Sequence, residues 1–517
     1  MDGQDANQGD QIDWGPFGKP LFSSDLAKGL SRVGVIDVGS NSVRMVVFDG
    51  AARSPAYFYN EKIMCALGAG LTETGRLNPT GRERALSAIA RFSKLGEGMG
   101  ILPLVTVATA AVREAEDGPE FCAEVEAKTG VKIQVIDGQE EARLSAQGVL
   151  LGWPGSYGLV CDIGGSSMEL ANLSEGEVGR RVTSPLGPLK LREIKGKKNR
   201  SAFIKTTMKD LHDDMKNPSG MRLFLVGGSW RAIARIDMER RGYPLTVLHE
   251  YRMTARRISR TAKYIAQSDL EELRKRCGIS EARMALVPQA AMVLNELMRR
   301  FKPKDVAVSS YGIREGMLYE QMPDELRQRD PLIEAARFAE HKDARLPGFG
   351  KKLYDFVMPL FPRVGWQRKR IIRAACLLHD VSWRAHPDYR AEVTFDNATR
   401  ANLGGLKHSE RVMLGLALLT RYTSKTSNTP FENLFTLMSP EQRREAVILG
   451  TAMRFGAMLW LNGDEPPGKL KWKPKSRSLT LHLAKAAKPL FGEVAEARFR
   501  ALGAALDCET QVKFSKR

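Results

Sequence analysis

Asp37-Val38-Gly39-Ser40-Asn41-Ser42 and Asp162-Ile163-Gly164-Gly165-Ser166-Ser167 are two segments that repeat one pattern and decide the fold of this chain. In each segment an apolar run ends in an aspartate, glycine and hydroxyl residues follow, and another apolar run begins. Glycine adopts turn conformations that other residues avoid, so each segment predicts a tight hairpin between two strands. Two copies indicate two similar lobes whose hairpins face each other across a cleft.

The residue types in these turns are suited to binding phosphate. Backbone N–H groups and serine hydroxyls gathered in a turn can hold phosphate oxygens. A neighbouring carboxylate suggests Mg2+, which proteins hold through one or two carboxylates together with phosphates and water. The turns are not P-loops, because the chain lacks the pattern Gly-x4-Gly-Lys-Ser/Thr. One such turn is most often only a turn, but the duplication favours phosphate chemistry.

Composition and charge limit the class of protein. The 517 residues, 43% of them hydrophobic, are enough for about three globular domains. Lys and Arg number 79 against 60 Asp and Glu, and the net charge of +19 favours polyanionic partners. Apolar runs stay well below the roughly 18 residues of a membrane-spanning helix, and the N-terminal sequence does not resemble a signal peptide. We therefore expect a cytoplasmic protein with no membrane segment. The six cysteines include no CxxC pair, which predicts neither disulfides nor zinc.

Residue patterns divide the chain into four parts. Residues 1–28 are polar and glycine-rich and predict a disordered tail. Residues 29–155 and 156–322 each alternate strand-like and helical patterns, which predicts two α/β lobes. Beyond residue 323 the strand patterns nearly vanish, so residues 323–517 predict a helical domain with a short basic strand pair.

Six motifs resemble, in the same order, those of the exopolyphosphatase and guanosine pentaphosphate phosphatase (Ppx/GppA) family. They are GVIDVGSNSVRMVV (34–47), VATAAVREA (107–115), IDGQEEARLSAQGV (136–149), LVCDIGGSSMEL (159–170), FLVGGSWRAIARI (224–236) and SSYGIREGMLYE (309–320). The resemblance implies an α/β fold of two ribonuclease-H-like lobes, as in the actin and sugar kinase superfamily, followed by an all-α domain of HD type. It also implies phosphate-chain hydrolysis in the cleft and a homodimer.

The resemblance assigns roles to four carboxylates. Glu141, the second glutamate of GQEEAR, matches the family's catalytic base. The alternative is that Glu140 and Glu141 are ordinary first-turn helix acids favoured by the helix dipole. Asp162 is expected to bind Mg2+, Glu169 matches another active-site carboxylate, and Asp37 takes the corresponding metal-binding place in the first lobe. Asp37 could equally cap its own turn.

The expected phosphate contacts come from both hairpins and from one arginine. Arg113, in TAAVRE, resembles an arginine that clamps the phosphate chain. Ser166 stands where relatives commonly carry a third glycine, so this turn is stiffer or gains a hydroxyl donor. The full set is Ser40, Asn41, Ser42, Arg113, Gly164, Gly165, Ser166 and Ser167.

Two basic segments each admit two interpretations. The segment KLREIKGKKNR is either a track for the distal part of a long anion or a solvated loop, and its candidate contacts are Lys190, Lys195, Lys197 and Lys198. A second stripe alternates with period 2, which places five charges on one face of an extended segment: Lys469, Lys471, Lys473, Lys475 and Arg477. Protection of an edge strand against aggregation is slightly favoured over anion binding for this stripe.

The helical domain carries side chains similar to the metal ligands of HD phosphohydrolases: His341, His379, Asp380 and His408. The later helix that should supply a final aspartate offers Arg454 instead. We therefore expect a degenerate metal site, and a domain that serves binding and dimerisation rather than a second hydrolysis.

Three functions remain open at this point. The first is Mg2+-dependent release of terminal orthophosphate from inorganic polyphosphate, which the net charge and the helical domain favour. The second is conversion of guanosine pentaphosphate (pppGpp) to the tetraphosphate by the same catalytic groups. The third is a polyphosphate-binding sensor without turnover, against which the intact Glu141, Asp162 and Glu169 argue. None of the three involves nucleic acid.

Overall fold

A computed structural model describes residues 32–49, 53–54, 56–216, 220–460 and 466–515 of the chain. These residues form two compact units, which divide between Pro331 and Leu332. The predicted tail, residues 1–28, lies outside the described residues. The strands are β1 Arg32–Val38, β2 Ser42–Asp49, β3 Tyr57–Met64, β4 Val105–Ala108, β5 Ile133–Val135, β6 Gly158–Ile163, β7 Met168–Ser174, β8 Glu177–Ser184, β9 Arg222–Val226, β10 Arg252–Met253, β11 Asp305–Val308, β12 Gly468–Lys473, β13 Ser478–Ala484 and β14 Glu509–Ser515.

The first unit contains two sheets with one topology. The first sheet has the order β3-β2-β1-β4-β5, with β3, β2 and β1 antiparallel and β4 and β5 parallel to β1. The second repeats it as β8-β7-β6-β9-β11 and adds β10, antiparallel, at the far edge. This repetition confirms the prediction of two α/β lobes with one fold.

Helices connect and cover these sheets. None of the helices in the described ranges is both long and apolar enough to cross a membrane. The helices are α1 Leu71–Thr74, α2 Pro79–Met99, α3 Ala110–Glu114, α4 Gly118–Thr129, α5 Gly138–Gly152, α6 Pro188–Glu193, α7 Lys197–Met215, α8 Gly228–Arg240, α9 Ala255–Gln267, α10 Leu270–Cys277, α11 Glu281–Met284, α12 Val287–Phe301, α13 Ile313–Glu320, α14 Asp324–Arg327, α15 Pro331–Asp343, α16 Phe349–Val357, α17 Trp366–Leu378, α18 Arg390–Arg400, α19 His408–Tyr422, α20 Pro440–Leu459 and α21 Glu493–Leu506.

Apolar side chains at helical spacing build the two cores. In the first lobe, α2 and α4 pack onto the strands through residues such as Phe92 and Phe121, which are fully buried. In the second lobe, α7 presents a stripe at intervals of three and four residues: Ile204, Met208, Leu211 and Met215. Such a stripe lies on one face of a helix, so it covers the sheet while the polar face meets water.

Helices α5 and α13 approach each other backbone to backbone. A Cβ atom at Gly148 of α5 would collide with the carbonyl oxygen of Gly312, and one at Gly316 of α13 would collide with that of Leu144. Both positions therefore require glycine for close approach. The contact matters for function because α5 carries Glu141 and α13 carries Arg314, a residue of the cleft.

The second unit is helical with a small sheet, and it corrects the predicted strand pair. Its sheet has three strands in the order β12-β13-β14, with β13 and β14 parallel. The sequence analysis missed β14, because ETQVKFS holds only two large apolar residues, Val512 and Phe514, and pairs with a strand that precedes a whole helix. The HD type of this unit stays a prediction.

We expect Gly148→Ala to destabilise the first unit, because the added methyl group forces α5 and α13 apart. Overpacking of this kind costs about 1–3 kcal/mol. Gly98→Ala is the matched control, since Gly98 is exposed on α2 with open space at its Cβ, and alanine is the better helix former. Calorimetry should give a lower melting temperature for Gly148→Ala and an unchanged or higher one for Gly98→Ala. Equal melting temperatures would contradict the close packing.

Candidate active site

The registers of the two hairpins place different charge pairs at the same position. In the first hairpin Asp37 pairs with Arg44 across β1 and β2. In the second, Asp162 pairs with Glu169 across β6 and β7. Residues directly opposite in an antiparallel pair lie on one face within about 5 Å at Cβ, and like charges there repel. One fold therefore yields an acid–base pair in the first lobe and a pair of acids in the second.

The two turns have the same backbone hydrogen bond and meet each other. Gly39 N donates to Ser42 O at 3.1 Å, and Gly164 N donates to Ser167 O at 3.0 Å. Between the lobes, Ser166 Oγ lies 3.3 Å from Ser40 Oγ in a hydrogen bond. The hairpins thus face each other, and the extra hydroxyl of Ser166 makes the contact.

Both hairpins, together with α5, α8 and α13, line a polar cleft of about 190 Å³. The cleft brings together most of the residues proposed from the sequence: Asp37, Ser40, Asn41, Ser42, Glu141, Asp162, Gly164, Gly165, Ser166 and Ser167. The other candidates are not among its lining residues: Glu169, Arg113, Lys190, Lys195, Lys197 and Lys198.

Glu140 and Glu141 have different environments, although they are neighbours in the first turn of α5. Glu140 forms an ion pair with Arg143 one turn along the helix, at 2.5 Å. Glu141 is buried at the cleft, with its Oε2 atom 3.7 Å from Arg113 Nη1 and without a hydrogen-bond partner in the described structure. Of the two, Glu141 is the one placed for chemistry.

Burial raises the pKa of three neighbouring carboxylates, and repulsion by neighbouring carboxylates adds to the effect at Glu141 and Glu169. Burial, and then the carboxylates of Glu169 and Asp162, raise the pKa of Glu141 well above its usual value. Burial and Asp162 likewise raise the pKa of Glu169. Burial raises the pKa of Asp162, against the effect of the hydroxyl hydrogen bond from Ser145. Such a group needs either protons or a cation.

These carboxylates fit a Mg2+ ion that relies mainly on water and phosphate for its ligands. The Oε2 atoms of Glu141 and Glu169 are buried without hydrogen-bond partners, and Asp162 faces the cleft. In the described ranges no three His, Cys, Asp or Glu side chains form a complete protein metal cage, but Mg2+ commonly takes only one or two carboxylates. Asp37 instead forms an ion pair with Arg314 Nη1 at 2.9 Å, and its role as a ligand stays a prediction.

The sequence analysis missed five cations that line the cleft: Arg44, Lys62, Arg231, Arg283 and Arg314. Within the described part of the chain, Arg314 alone among them forms an ion pair with a carboxylate. The other four concentrate positive charge without an acidic partner, an arrangement that favours a polyanion.

Mutual repulsion among these cations also changes their proton affinity. Desolvation at the cleft wall, together with the guanidinium groups of Arg283 and Arg44, lowers the pKa of the exposed Lys62 to about 8. Desolvation and the nearby Arg314 lower the pKa of Arg44 to about 10. A bound anion would relieve this repulsion.

Signals for three of these cations were present in the sequence. Arg44, Arg231 and Arg314 lie inside motifs quoted above, but a single arginine in a motif has no spacing that marks it as a ligand. Lys62 on β3 and Arg283 on α11 lie outside every motif, and only the folded chain brings them to the cleft.

Two predicted substrate contacts have protein partners instead. Arg113 Nη1 donates to the carbonyl oxygen of Ile136 at 2.8 Å and lies 3.7 Å from Glu141 Oε2, so it contacts the Glu141 carboxylate and does not line the cleft. Lys190 forms an ion pair with Glu114 at 2.8 Å, which ties α6 of the second lobe to α3 of the first.

Lys195, Lys197 and Lys198 are exposed and do not line the cleft. Their role as a track stays a prediction. A chamber of about 350 Å³ adjoins the cleft at Ser40 and Asn41 and contains Arg192 from the same basic segment.

The second basic stripe follows the predicted face only in part. Lys469, Lys471 and Lys473 are exposed on β12, an edge strand. Lys475 and Arg477 lie in the connection to β13, where Arg477 has a left-handed backbone and pairs with Asp507. The prediction of five charges on one strand face is therefore wrong for the last two, because the strand ends at Lys473.

The candidate HD residues do not converge on an acidic cluster. His379 is buried, its Nδ1 lies 2.7 Å from the Cys376 carbonyl oxygen, and burial lowers its pKa to about 4. Asp380 forms an ion pair with Arg345 at 2.6 Å. His408 is buried at the first position of α19, and His341 is exposed on α15.

Comparison with known proteins gives matches to both units. The model of the Ppx/GppA phosphatase family matches residues 46–325, and the model described as Exopolyphosphatase, C-terminal, matches residues 332–510. Retrograde regulation protein 2 of Saccharomyces cerevisiae is 27% identical over 432 residues, which cover 75% of this chain and 72% of the yeast protein.

Two bacterial relatives have enzyme names. Exopolyphosphatase 1 of Mycobacterium bovis is 26% identical over 310 residues, 57% of this chain and 89% of its own. Guanosine-5'-triphosphate,3'-diphosphate pyrophosphatase of Vibrio campbellii is 24% identical over 416 residues, 76% of this chain and 81% of its own. The crystal structure of an exopolyphosphatase from Cytophaga hutchinsonii superposes with a TM-score of 0.51 at 22% identity, covering 56% of this chain and 96% of that one, which shows a shared fold.

We expect Glu169→Gln to stabilise the protein at neutral pH when a chelator removes divalent cations. A carboxyl group whose pKa is higher in the folded than in the unfolded chain makes the folded protein less stable as the pH rises above the group's usual pKa of about 4.3. The melting temperature of the variant should therefore exceed that of the wild type by a margin that grows from about pH 5 to pH 8.

Added Mg2+ should narrow this margin by stabilising the wild type. Glu126→Gln is the control, because Glu126 is exposed on α4. A margin that is flat with pH would refute the repulsion among the buried carboxylates.

Proposed function

Because the chain belongs to the Ppx/GppA phosphatase family, we propose that it is an exopolyphosphatase, which hydrolyses terminal orthophosphate from inorganic polyphosphate with Mg2+ as cofactor. One observation carries this proposal. The buried carboxylate of Glu141, with an unpartnered oxygen, lines the same cleft as four cations that lack an acidic partner. The cytoplasmic location and the homodimer expected from the sequence stay predictions.

The reaction requires an activated water and a stabilised phosphoryl group. Glu141 accepts a proton from a water molecule as the water oxygen attacks the terminal phosphorus. The bond from that phosphorus to the bridging oxygen breaks, and the shortened chain leaves with the electron pair on this oxygen. Backbone N–H groups of the two turns and the cleft cations hold the phosphoryl oxygens, where negative charge is greatest in the transition state.

The environment of Glu141 matches the work of a general base. A base is most effective when its pKa is near the working pH, and burial beside Glu169 and Asp162 raises the pKa of Glu141 in that direction. Arg113, at 3.7 Å, favours the ionised form. Bound at Asp162 and Glu169, Mg2+ would offset the carboxylate charges and neutralise phosphate oxygens.

The shape of the cleft favours a chain of phosphates over a nucleotide. Its cavity is small, and its described lining includes no aromatic side chain on which guanine could stack. Hydrolysis of pppGpp is the second candidate, supported by the Vibrio relative and by the adjoining chamber of about 350 Å³, which has room for a base. A sensor without turnover is the third.

Orthophosphate release from long polyphosphate and from pppGpp, measured with and without Mg2+, tests the proposal. We expect the wild type to release orthophosphate from polyphosphate only with Mg2+, and Glu141→Gln to be slower by about 100-fold or more, the usual contribution of a general base. Glu140→Gln is the matched control and should retain most activity, since Glu140 pairs with Arg143.

Each other outcome points elsewhere. If neither substrate releases orthophosphate, the result would favour the sensor without turnover. Faster release from pppGpp than from polyphosphate would favour hydrolysis of pppGpp. Full activity in Glu141→Gln would overturn the assignment of the base.

Lys62 should make substrate binding depend on pH. Its lowered pKa of about 8 means that the free protein loses this charge as pH rises through that value, so the affinity for a polyanion should fall from about pH 7 to pH 9. We expect Lys62→Arg to keep its affinity over this range and Lys62→Gln to bind weakly throughout. Binding can be measured in the Glu141→Gln background, where hydrolysis does not interfere.

Lys132→Gln is the control for loss of one charge, because Lys132 is exposed and outside the cleft. An identical pH profile for Lys62→Arg and the parent protein would contradict a role for Lys62.

A further inference from the structure

A second cavity lies entirely within the second unit and shares no lining residue with the cleft. Its volume is about 830 Å³, within the usual range of about 300–1,000 Å³ for small-molecule sites. Its walls are the segment after α16, the first half of α20, the end of β12 with the connection to β13, and the end of α21.

The floor of this cavity is apolar and includes an aromatic ring. The side chains of Leu360, Phe361, Ile448 and Leu506 are buried beneath it. Trp472, half-buried on β12, lines the cavity, and its indole ring has no stacking or cation–π partner within the described residues. An indole face that is free at a cavity is suited to stacking with a planar ring.

The rim of the cavity is cationic. Arg363, Arg444, Lys473 and Lys475 line it and are exposed, and none of these four side chains has an ion pair or hydrogen bond in the described ranges. The acidic residue at the cavity, Glu445, already pairs with Arg368 at 2.9 Å. The rim can therefore hold the oxygens of an anion through charge-assisted hydrogen bonds.

This combination differs from the catalytic cleft in the chemistry that it suits. The cleft is narrow and polar and has no aromatic residue in its described lining, whereas the second cavity is wider and combines an indole with apolar walls and four cations. Inorganic polyphosphate would leave the apolar floor and the indole without a partner. A planar ring that carries phosphate satisfies both parts.

We propose that the cavity between α20 and the β12–β13 hairpin binds a nucleoside phosphate, with the base on Trp472 and the phosphates on the lysine and arginine rim. The site is independent of the proposed hydrolysis, because its residues are not those of the cleft. The period-2 stripe gains a function from it: Lys473 and Lys475, at the end of the stripe, serve the ligand, while Lys469 and Lys471 protect the edge strand.

Titration calorimetry of the full-length protein with ADP tests the site. In the Arg231→Gln background, which removes one phosphate-binding cation of the cleft, we expect ADP to bind one site per chain, and adenosine and inorganic diphosphate each to bind that site about tenfold or more weakly, because each lacks half of the recognised chemistry. Binding of ADP should survive Glu141→Gln and Arg231→Gln, which alter the cleft.

Paired variants of one hairpin separate local binding from net charge. Lys473→Ser with Lys475→Ser should weaken ADP binding about tenfold or more, whereas Lys469→Ser with Lys471→Ser, which removes the same charge from the same hairpin, should change it less than about twofold. Trp472→Leu should weaken ADP and leave diphosphate unchanged, with Trp366→Leu, an exposed tryptophan outside the cavity, as its control.

Four results would overturn the proposal. The first is absence of ADP binding up to millimolar concentration, and the second is equal weakening by the two lysine pairs, which would reveal a net-charge effect. The third is loss of ADP binding in Arg231→Gln, which would place the nucleotide in the cleft. Equal affinity for diphosphate and ADP would also refute the role of Trp472.

Discussion

The cross-strand pairing of Asp162 with Glu169 is the constraint on which the rest of the cleft depends. The hairpin register fixes these two carboxylates on one face of the sheet, and α5 adds Glu141 to them. A buried cluster of acids is unfavourable unless protons or cations compensate it. The carboxylates of this site therefore have a raised affinity for protons, and a bound cation would stabilise them; the proposed hydrolysis uses both properties.

The duplicated hairpin explains how this fold places acidic and basic side chains close together in one cleft. Arg44 follows Asp37 by seven positions, and Glu169 follows Asp162 by the same number. The second position of each pair therefore carries a base in the first lobe and an acid in the second. In the first lobe, Arg44 occupies the position that Glu169 has in the second, and Arg314 pairs with Asp37. The contact between the Ser40 and Ser166 hydroxyls brings the two surfaces together, which places the acidic chemistry opposite the cationic wall.

The sequence predicts those parts of the site that depend on residues close together in the chain, and not those that depend on distant residues. The strands, the hairpins and their opposition follow from local patterns, and so do the turn residues that line the cleft. The cations do not, because Lys62 and Arg283 reach the cleft only through sheet order and the packing of a short helix. The local pattern also predicts wrongly where a strand ends. Strand β12 stops at Lys473, so Arg477 does not lie on the predicted strand face. Strand β14 escaped prediction for a different reason, because ETQVKFS holds few apolar residues and its partner β13 lies beyond a whole helix.

Every described residue that lines the catalytic cleft lies between Asp37 and Arg314, inside the first unit. The carboxylates, turns and cations of this cleft that the structure describes therefore all belong to the first unit. What the second unit holds instead is a pairing of Asp380 with Arg345, where an HD enzyme would need free acids, and a cavity with the composition of a ligand site. A domain in which Asp380 pairs with Arg345 and which contains a cationic cavity with an indole on its wall is better suited to binding than to catalysis.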